Sequence, residues 1–434
     1  MTAIDITGLS HDGEGVGRID GEVIFVPGAL PGETVTVAVG ERHKGIRRAE
    51  LIEVLTPNPE RTTPPCIHAG TCGGCTLQIC SDSLEAALKT QQVRDALSRL
   101  GKLDVPVNPI LGMENLWRYR NKGVFHVDYS EGRARIGFFE KGSHRIVPAQ
   151  DCLLFSHNVC ALLEWLQEAI TDTGAPDIDK IMVRESHATG EMMVVLVTSR
   201  RQFRQGRLSE AISKEWPQVV SLWHNVCNRP HQMMGREFHL LAGSETLNEK
   251  LGRNSYALSP ASFFQVNTVQ AEVLYDCGRA LLAPAPDARI LDLYCGMGTI
   301  GMHMAAPETP LTGVDSVASA IRDAKAAAAA AGYRNARFYT AKAGEWLPRQ
   351  IKNGVTYDAA IIDPPRAGCK PALLDALIAA EIPRILYISC NPATFARDLA
   401  HLAPCYHIGT VQPVNMFPHT VHVETVCLMS RVKD

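Results

Sequence analysis

Cys390 stands at the junction of a strand-like run and a helix start, in the stretch "ILYISCNPATFARDL" (385–399). The residues before it are apolar or aromatic and predict a buried strand, while Asn391 suits a helix N-cap and Pro392 the first helical position. A helix N-terminus carries partial positive charge, which favours a thiolate over a thiol. The pattern therefore predicts a nucleophilic cysteine at the carboxyl end of a strand, although cysteine is also an ordinary buried apolar residue.

A second site for chemistry is the glycine-rich stretch "LDLYCGMGTIGM" (291–302), with G-x-G-x-x-G beginning at Gly296. A strand precedes these glycines and a helix that includes Thr299 follows, so backbone can approach a ligand at a helix N-terminus. Asp315 ends the next strand-like run, where a carboxylate can accept from both hydroxyls of a ribose. The pattern predicts a nucleoside cofactor, either a dinucleotide or S-adenosylmethionine.

The turn Asp363-Pro364-Pro365 favours S-adenosylmethionine over a dinucleotide. Two prolines cannot continue the sheet, so the turn projects over the cleft at the end of its strand. A D/N-P-P turn at this place resembles the fourth motif of Rossmann-like methyltransferases. Enzymes of that group that methylate exocyclic amines follow it with an aromatic residue, whereas Arg366 follows here. The turn therefore points away from amino-group methylation.

A cysteine near a methyl donor is what methylation of an unactivated ring carbon requires. C5 of uracil is too electron-poor to attack a sulfonium methyl until a thiolate adds at C6, and a base must later remove the C5 proton so that the cysteine can leave. Glu424, in "HTVHVETV" (419–426), interrupts an apolar strand-like run near the end of the same predicted sheet. It is the candidate base, although a glutamate in a strand often simply faces solvent.

Three further cysteines, Cys66, Cys72 and Cys75, lie within "CIHAGTCGGC". Such a group needs a fourth ligand, and zinc would accept Cys80 in a tetrahedral site. The spacing is neither the ferredoxin run nor the radical-enzyme triad. Spacing alone therefore leaves zinc and an iron–sulfur cluster open.

The elements that must position these residues fall into three regions. Residues 1–57 alternate short strand-like runs with turn signals and predict an OB-like β-barrel, followed by the Pro- and Thr-rich linker "TPNPERTTPPC". Residues 58–253 mix helices and strands around the cysteine group and predict a central α+β domain. Residues 254–434 alternate strands and helices regularly, which predicts a Rossmann-like doubly wound sheet that ends in an antiparallel hairpin. The fold class is thus multidomain α/β.

The composition is that of a globular protein of 434 residues, with a net charge of −3 and thirteen cysteines. We find no signal-peptide pattern and no apolar run long enough to cross a membrane, so we expect a cytoplasmic protein that needs no membrane. Thirteen cysteines are then expected as thiols, ligands or nucleophiles rather than disulfides. The net charge argues against coating of nucleic acid, but the basic stretches "ERHKGIRR" (41–48) and "WRYRNK" (117–122) could form local basic surfaces.

The motifs "SCNPATFARDL", "DPPRAG", "LDLYCGMGTIG", "SPASFFQVNT" and "HVET" together resemble the 5-methyluridine RNA methyltransferases over nearly the whole chain. The resemblance implies Cys390 as nucleophile and Glu424 as base. It also implies that S-adenosylmethionine contacts residues of three of these segments, together with the strand-ending Asp315: Gln265, Tyr294, Gly296, Thr299, Asp315 and Asp363. The segment "YTAKAGEW" departs from the family, which often has Asn or Asp near the adenine.

The same resemblance favours a [4Fe-4S] cluster held by Cys66, Cys72, Cys75 and a distant Cys152 in "PAQDCLLF", with Cys80 as a bystander. The barrel resembles an RNA-binding TRAM domain. Barrel, cluster and methyltransferase together resemble the RlmD-type branch that acts on 23S ribosomal RNA, because tRNA-directed relatives usually lack both additions. We therefore expect rRNA as the partner, with tRNA as the alternative and no obligate protein partner.

Two functions of other classes stay open on the residues alone. The glycine motif with Asp315 would also suit an NAD-dependent oxidoreductase, which differs in the cofactor that it binds. A non-catalytic RNA-binding protein with a structural metal would have no need of Cys390.

Overall fold

The computed structural model describes residues 1–130, 132–174, 177–201, 206–229 and 231–432. It begins with five strands: β1 (Thr2–Leu9), β2 (Glu14–Ile19), β3 (Glu22–Pro27), β4 (Thr34–His43) and β5 (Ile46–Thr56). They close into a barrel in the order β1-β2-β3-β5-β4. Alternate side chains such as Ile4, Ile6, Val35 and Val37 point inward and fill it. The predicted OB-like barrel is confirmed.

The linker and the cysteine segment lead into α1 (Asp82–Asp95), which continues as a π-helical turn over Ala96–Leu100. The side chain of Ser81 accepts from Leu84 N and so caps the first turn of the helix. Val93 and Leu97 pack in the same apolar core as Phe395 of the C-terminal region. The divisions at 57/58 and 253/254 stay a prediction, and the structure adds that α1 rests on the C-terminal core.

The central region is built on one mixed sheet. Its strands are β6 (Lys122–Ser130), β7 (Arg133–Phe139), β8 (Ile146–Pro148), β9 (Ile178–Glu185), β10 (Met192–Thr198), β11 (Val219–Val226) and β12 (Glu237–Gly243). They lie in the order β12-β11-β10-β9-β6-β7-β8. Two helices, α2 (His157–Thr173) and α3 (Gly206–Glu215), share an apolar core with one face of this sheet. A two-stranded hairpin, β13 (Leu247–Leu251) and β14 (Asn254–Leu258), connects it to the C-terminal region.

The C-terminal region is a second, larger sheet between two layers of helices. Its strands are β15 (Ile290–Leu293), β16 (Leu311–Asp315), β17 (Ala336–Thr340), β18 (Ala359–Ile362), β19 (Arg384–Ser389), β20 (Tyr406–Ile408), β21 (Gln412–Val414) and β22 (Glu424–Arg431). Its helices are α4 (Thr268–Leu282), α5 (Thr299–Met304), α6 (Ala318–Ala330), α7 (Ala343–Lys352), α8 (Pro371–Ala379) and α9 (Pro392–Leu402). Separate apolar cores fill the two faces of the sheet. The predicted doubly wound fold is confirmed.

The strand order β17-β16-β15-β18-β19-β22-β20 decides which residues meet at one edge of this sheet. The first five strands in that order are parallel, so their carboxyl ends lie together. Strand β22 runs antiparallel to β19, so it begins at the edge where β19 ends. β21 also pairs with β22, which bears out the predicted antiparallel addition. The edge therefore collects the ends of β15, β16, β18 and β19 and the start of β22.

No helix in the described ranges is long and apolar enough to cross a membrane.

Candidate active site

Cys390 and Glu424 lie at the same end of two adjacent antiparallel strands. The ladder between β19 and β22 ends with Ser389 opposite Thr425, so Cys390 directly follows the last paired residue of β19 and Glu424 directly precedes its partner on β22. The carboxyl of Glu424 is close enough to act on the pKa of the Cys390 thiol. Asn391 and Pro392 begin α9 as predicted, with the Asn391 side chain accepting from Ala393 N. Strand pairing thus joins the two predicted catalytic residues, which lie far apart in the sequence.

The expected stabilisation of a Cys390 thiolate is wrong for the free protein. Burial raises the pKa of Cys390 to about 11, and the neighbouring carboxyls of Glu424 and Asp363 add to that rise. The helix N-terminus is outweighed chiefly by burial of the thiol and, to a lesser extent, by the two acidic groups that share the site, neither of which sequence spacing revealed. Burial, with Asp363 as the second cause, also raises the pKa of Glu424 well above its usual value. Cys390 is therefore a neutral thiol at neutral pH in the free protein, and Glu424 holds its proton more tightly than an exposed glutamate does.

Arg366 is the cation that acts against these shifts. Its charge lowers the pKa of both Cys390 and Glu424. Its backbone carbonyl accepts from Asn391 Nδ2 at 3.0 Å, which ties the Asp-Pro-Pro turn to the start of α9. Its guanidinium lies 3.2 Å from the ring of His422, whose pKa burial and Arg366 lower to about 4. A neutral His422 can accept a hydrogen bond from Arg366 without opposing its charge.

Asp363 joins the cofactor half of the edge to the catalytic half. It directly follows β18, which lies between β15 and β19 in the sheet. Burial raises the pKa of Asp363 to about 7. Its charge also acts on Tyr275 of α4. Asp363 thus acts on Tyr275 on the cofactor side and on Cys390 on the catalytic side. It lies where a cofactor and a second substrate would meet.

The glycine-rich turn after β15 has the backbone of a ligand cradle. Tyr294, Gly296 and Gly298 have φ values of 64°, 54° and 80°, in the left-handed region that only glycine adopts at little cost. A Cβ built on Gly296 would meet nothing within 4 Å, so open space lies above this turn. A Cβ on Gly301 would lie 2.6 Å from an oxygen of Asp292. Gly301 is thus glycine because the helix packs tightly on the strand, while Gly296 leaves room for a ligand.

Two carboxylates hold this turn in place. Gly296 N donates to Asp315 Oδ2 at 3.0 Å, and Val317 N donates to Asp315 Oδ1 at 2.8 Å. Asp292 accepts from Gly301 N at 2.9 Å, and burial raises its pKa to about 8. We did not predict a role for Asp292, although an acid within an apolar strand just before a glycine motif was a usable signal.

Gln265 lies close to this turn through Tyr275. Burial raises the pKa of Tyr275, and hydrogen bonding to the side chains of Thr299 and Gln265 offsets part of that rise. The backbone of Gln265 is held in turn, because Asn121 Nδ2 donates to its carbonyl at 2.9 Å. The six predicted cofactor residues therefore lie on segments that meet at one edge. Tyr275 itself was missed, because a tyrosine within an amphipathic helix gives no signal of function.

The four predicted cluster cysteines line one cavity of about 490 Å³: Cys66, Cys72, Cys75 and Cys152. Burial raises the pKa of Cys152 to about 12, with Cys75 and Cys72 adding to the rise, so the three thiols lie near one another. Arg120 and Lys122 also line this cavity. Burial and Arg184 lower the pKa of Lys122 to about 7, so Arg120 is the firmer cation of the two. The cavity brings the four predicted thiols around one space, and the cluster itself stays a prediction.

Cys80 lies outside this cavity. It is 6% exposed, it packs with Leu30 and Leu77, and its thiol donates to the carbonyl of Leu77 at 3.2 Å. Within the described ranges, no three His, Cys, Asp or Glu side chains lie close enough together to hold a metal ion. Around one zinc ion, thiolates would lie only about 3.8 Å apart, given Zn–S bonds of about 2.3 Å. This finding applies to Cys66, Cys72, Cys75 and Cys152 as well as to Cys80, so the described residues show neither a zinc site nor a preformed cluster site.

The basic stretch at 41–48 is largely neutralised within the barrel. Arg42 and Arg47 both pair with Glu22, and Arg48 pairs with Glu14 at 3.0 Å. Lys44 occupies the tip of the hairpin between β4 and β5 with a φ of 50°. The arginines that suggested a strongly basic surface therefore already have carboxylate partners.

The comparisons with known proteins agree with this geometry. Residues 113–432 match the model of the tRNA (uracil-5-)-methyltransferase family, and residues 3–52 match the TRAM domain. A protein of Listeria innocua named an uncharacterized RNA methyltransferase is 37% identical, with 98% of this chain and 97% of that protein covered. A protein of the same description from Caldanaerobacter subterraneus is 38% identical, with 99% and 98% covered. The chain is thus similar to these proteins over almost its full length.

A solved structure has the same architecture. The tRNA (uracil-54, C5)-methyltransferase of Pyrococcus abyssi, in complex with S-adenosyl-L-homocysteine, is 28% identical with a TM-score of 0.78, covering 99% of this chain and 100% of that one. These matches decide the cofactor class in favour of S-adenosylmethionine over NAD. The chain belongs to the family of S-adenosylmethionine-dependent RNA (uracil-5-)-methyltransferases and carries an N-terminal TRAM domain.

Proposed function

We propose that this protein transfers a methyl group from S-adenosylmethionine to C5 of a uridine in 23S rRNA, through a transient covalent bond between Cys390 and C6 of the base. The observation that carries the proposal is that the pairing of β19 with β22 brings Cys390 and Glu424 to the same end of the two strands, where the carboxyl acts on the thiol. The same sheet edge holds the Gly296 turn, Asp315 and Asp363. One edge therefore offers a nucleophile, a base and a place for the methyl donor.

The first step is addition of the Cys390 sulfur to C6, which makes C5 an enolate carbon. Because the pKa of Cys390 is about 11, its proton must pass to a neighbour as the S–C6 bond forms. Asp363, with a pKa of about 7, is the nearby carboxyl best matched to accept that proton at neutral pH. Arg366 offsets the negative charge that develops at the thiol.

S-adenosylmethionine, when bound, supplies the electrophilic methyl group. The Gly296 turn and Asp315 would bind its nucleoside, and Gln265, Tyr294, Thr299 and Asp363 would orient it. After C5 has gained the methyl group, Glu424 takes the C5 proton, the S–C6 bond breaks, and Cys390 recovers its electron pair. Glu424 must be ionised for this, and Arg366 favours that form.

The target uridine must leave its stack to reach this edge. Cys390 is half-buried and Glu424 is 4% exposed, so a base that stays paired in a helix could not touch both. The TRAM barrel and the central sheet would hold the RNA on either side of the extruded nucleotide. The proposed substrate is accordingly a uridine in a loop or a strained segment.

We further propose that Cys66, Cys72, Cys75 and Cys152 hold a [4Fe-4S] cluster. The support is the common cavity that the four thiols share with Arg120; in the free protein the thiols are not gathered closely enough to hold a metal ion, so binding of the cluster would have to draw them together. Such a cluster, when bound, would cross-link the segment before α1 to the central sheet. We assign it no step in the methyl transfer.

A tRNA uridine is the second candidate substrate. The Pyrococcus abyssi relative is named for a tRNA uridine and aligns over the barrel and the cysteine segment as well as the catalytic region. Domain content therefore does not by itself separate rRNA from tRNA. Mapping 5-methyluridine in rRNA and tRNA from a deletion strain separates them: we expect one 23S rRNA position to lose its methyl group, and loss only in tRNA would overturn the rRNA assignment.

The catalytic assignment is tested with unmodified RNA and methyl-labelled cofactor on a denaturing gel. Cys390→Ala should abolish both adduct and methylation, because Cys390 acts first. Glu424→Gln should still attack and methylate, then stall as a labelled protein–RNA adduct. Normal turnover by Glu424→Gln, or an adduct from Cys390→Ala, would overturn the assignment. The non-catalytic alternative expects no labelled RNA from any of the three proteins.

A further inference from the structure

A buried ion pair on α1 reaches the loop that leads into Glu424. Lys89 Nζ donates to Glu85 Oε1 at 2.7 Å, and the two residues are 1% and 2% exposed. The pair is distant from this loop in the sequence: Lys89 and Asn415 of the loop are 326 positions apart. Residues 415–423 connect β21 to β22, and Glu424 is the first residue of β22. We call this connection the 415–423 loop.

Most of the polar atoms of this pair form hydrogen bonds with the 415–423 loop. Lys89 Nζ donates to Asn415 Oδ1 at 2.7 Å and to the carbonyl of Phe417 at 3.0 Å. Glu85 accepts from Asn415 Nδ2 at 3.1 Å and from the backbone N of His419 at 2.9 Å. The loop lies outside the strand ladders here, so these bonds satisfy backbone and side-chain groups that would otherwise be unpaired.

Other elements meet the same loop at His419. Its φ of 64° places it in the left-handed region, which costs free energy unless its surroundings hold it. Its ring stacks on Trp117 with centroids 3.7 Å apart, and its carbonyl accepts from Leu77 N at 3.0 Å. Tyr119 donates to the carbonyl of Pro418 at 3.1 Å. The loop is therefore fixed by contacts from outside the catalytic sheet.

A buried ion pair is an expensive way to gain stability, because desolvation of two charges offsets most of their attraction. An apolar pair of similar size would fill the same space. Unlike an apolar pair, the two charged groups form directional hydrogen bonds, so they fix the positions of specific donors and acceptors of the loop. The last step of the proposed reaction is sensitive to geometry, because Glu424 must reach a C5 proton while the base is bonded to Cys390.

We propose that Glu85 and Lys89 are positioning residues that hold Glu424 for the elimination step by clamping the 415–423 loop. This inference rests on the proposed function of Glu424. Loss of the clamp should leave attack and methyl transfer intact and slow the release of methylated RNA. A displacement of about 1 Å can cost on the order of 100-fold in a catalytic step.

The test compares release from the methylated adduct in Lys89→Met, in the double variant Glu85→Gln/Lys89→Met, and in wild type. The probe is unmodified total RNA with methyl-labelled cofactor, and the readout is the fraction of methylated RNA still attached to protein over time. We expect attached RNA to persist at least tenfold longer in both variants, with S-adenosylmethionine affinity within twofold of wild type. The double variant buries no unpaired charge, so it remains testable if Lys89→Met does not fold.

The matched control is Arg61→Met, which breaks another buried pair, one whose further hydrogen bonds go to Gly28, Leu30 and Asn58 instead of the 415–423 loop. Arg61 donates to Glu33 at 2.7 Å, and Glu33 is 1% exposed. Arg61→Met should release RNA at the wild-type rate, and prolonged attachment in this variant would mean that adducts report general destabilisation and would overturn the inference. Wild-type release by a folded double variant, while Glu424→Gln stalls, would also overturn it. If Glu424→Gln does not stall, the proposed role of Glu424 itself is wrong. That outcome differs from a stalled Glu424→Gln with wild-type release by the double variant, which contradicts only the proposed role of Glu85 and Lys89.

Discussion

At the scale of single residues, the site contains three acidic groups whose ionisation burial disfavours. Cys390, Glu424 and Asp363 all have raised pKa values, and Arg366 is the neighbour that lowers two of them. A thiol kept neutral until a substrate arrives is protected from side reactions with other electrophiles. The residue types were predictable from the motifs. Their mutual repulsion was not, because it arises only when three strand ends are brought together.

The first prediction concerns the reactivity of Cys390 toward iodoacetamide. With a pKa of about 11, about one thiol in a thousand is ionised at pH 8. Alkylation should therefore rise about tenfold per pH unit below 11. Glu424→Gln removes a carboxyl that raises this pKa and should speed alkylation several-fold at pH 8, whereas Arg366→Met should slow it. Mass spectrometry of the Cys390 peptide measures the rate.

Cys277 is the internal control for this experiment. Burial alone raises its pKa, with no charged neighbour among the causes. Its alkylation should be the same in all three proteins. Equal rates at Cys390 in wild type and Glu424→Gln would show that the two side chains do not interact.

The second prediction concerns stability and pH. The pKa of Glu424 is higher in the folded than in the unfolded protein, so its contribution is fully present below the unfolded value, near 4.5, and is lost as pH rises through the folded value. Gln stays neutral throughout. Glu424→Gln should therefore melt higher than wild type at pH 8, with the gain shrinking toward pH 4.5.

Glu53→Gln is the control for that series, because Glu53 lies on the exposed surface of the barrel. Its melting temperature should follow wild type at every pH. A Glu424→Gln protein that melts at or below wild type at pH 8 would contradict the raised pKa.

At the scale of elements, the sheet edge turns separate sequence motifs into one site. The glycine turn, the strand-ending acids and the cysteine before α9 were predictable, because parallel strands end at a common edge and each motif marks such an end. The proximity of Cys390 and Glu424 was not predictable in detail, since it depends on which residues of β22 pair with the end of β19. The contacts of α1 with the 415–423 loop could not be predicted from the sequence. Glu85 and Lys89 have the i,i+4 spacing of an ordinary exposed ion pair on a helix.

The third prediction concerns the cysteine segment. Protein purified without oxygen should be brown and contain about four irons per chain. Cys152→Ser should lose more iron than Cys80→Ser, because Cys152 lines the common cavity while Cys80 packs among Leu30 and Leu77. Iron content and absorbance measure both effects. Stoichiometric zinc without iron, or equal losses from the two variants, would contradict the proposed ligands.

At the scale of the whole molecule, the barrel, the central sheet and the catalytic sheet are joined by contacts between residues far apart in the sequence. Gly13 of the barrel lies against Val421 of the 415–423 loop, where an added Cβ would be 2.5 Å from Val421 Cγ1. The barrel, the central sheet and the doubly wound fold could be read from turn spacing and strand–helix alternation. These contacts between regions could not, since each joins residues that no local pattern links.

The fourth prediction concerns RNA affinity and salt. Arg42 and Arg47 share Glu22 as partner, so Glu22→Gln should free two cations at the surface of the barrel. RNA binding should tighten, and the slope of log K against log salt should steepen by roughly 0.7 for each added phosphate contact. Deletion of residues 1–57 should weaken binding and flatten the slope while cofactor binding stays intact. Binding titrations at several salt concentrations measure both.

An unchanged slope in both proteins would show that the barrel does not contact RNA through charge. Glu53→Gln serves again as the matched control, since it removes the same charge from the barrel surface without freeing an arginine pair.

The pairing of β19 with β22 has a consequence for how this chain can change over evolutionary time. Side chains on a strand alternate between faces, so an inserted residue that slips β22 by one position would carry the carboxyl of Glu424 to the wrong face of the sheet. A slip of two would restore the face but move that carboxyl by about 6.8 Å. The same insertion between α9 and β20 would leave the ladder unchanged. Sequences that descend from this one can therefore differ in the number of residues between Cys390 and Glu424. The face of the sheet to which the side chain of Glu424 points, however, is fixed.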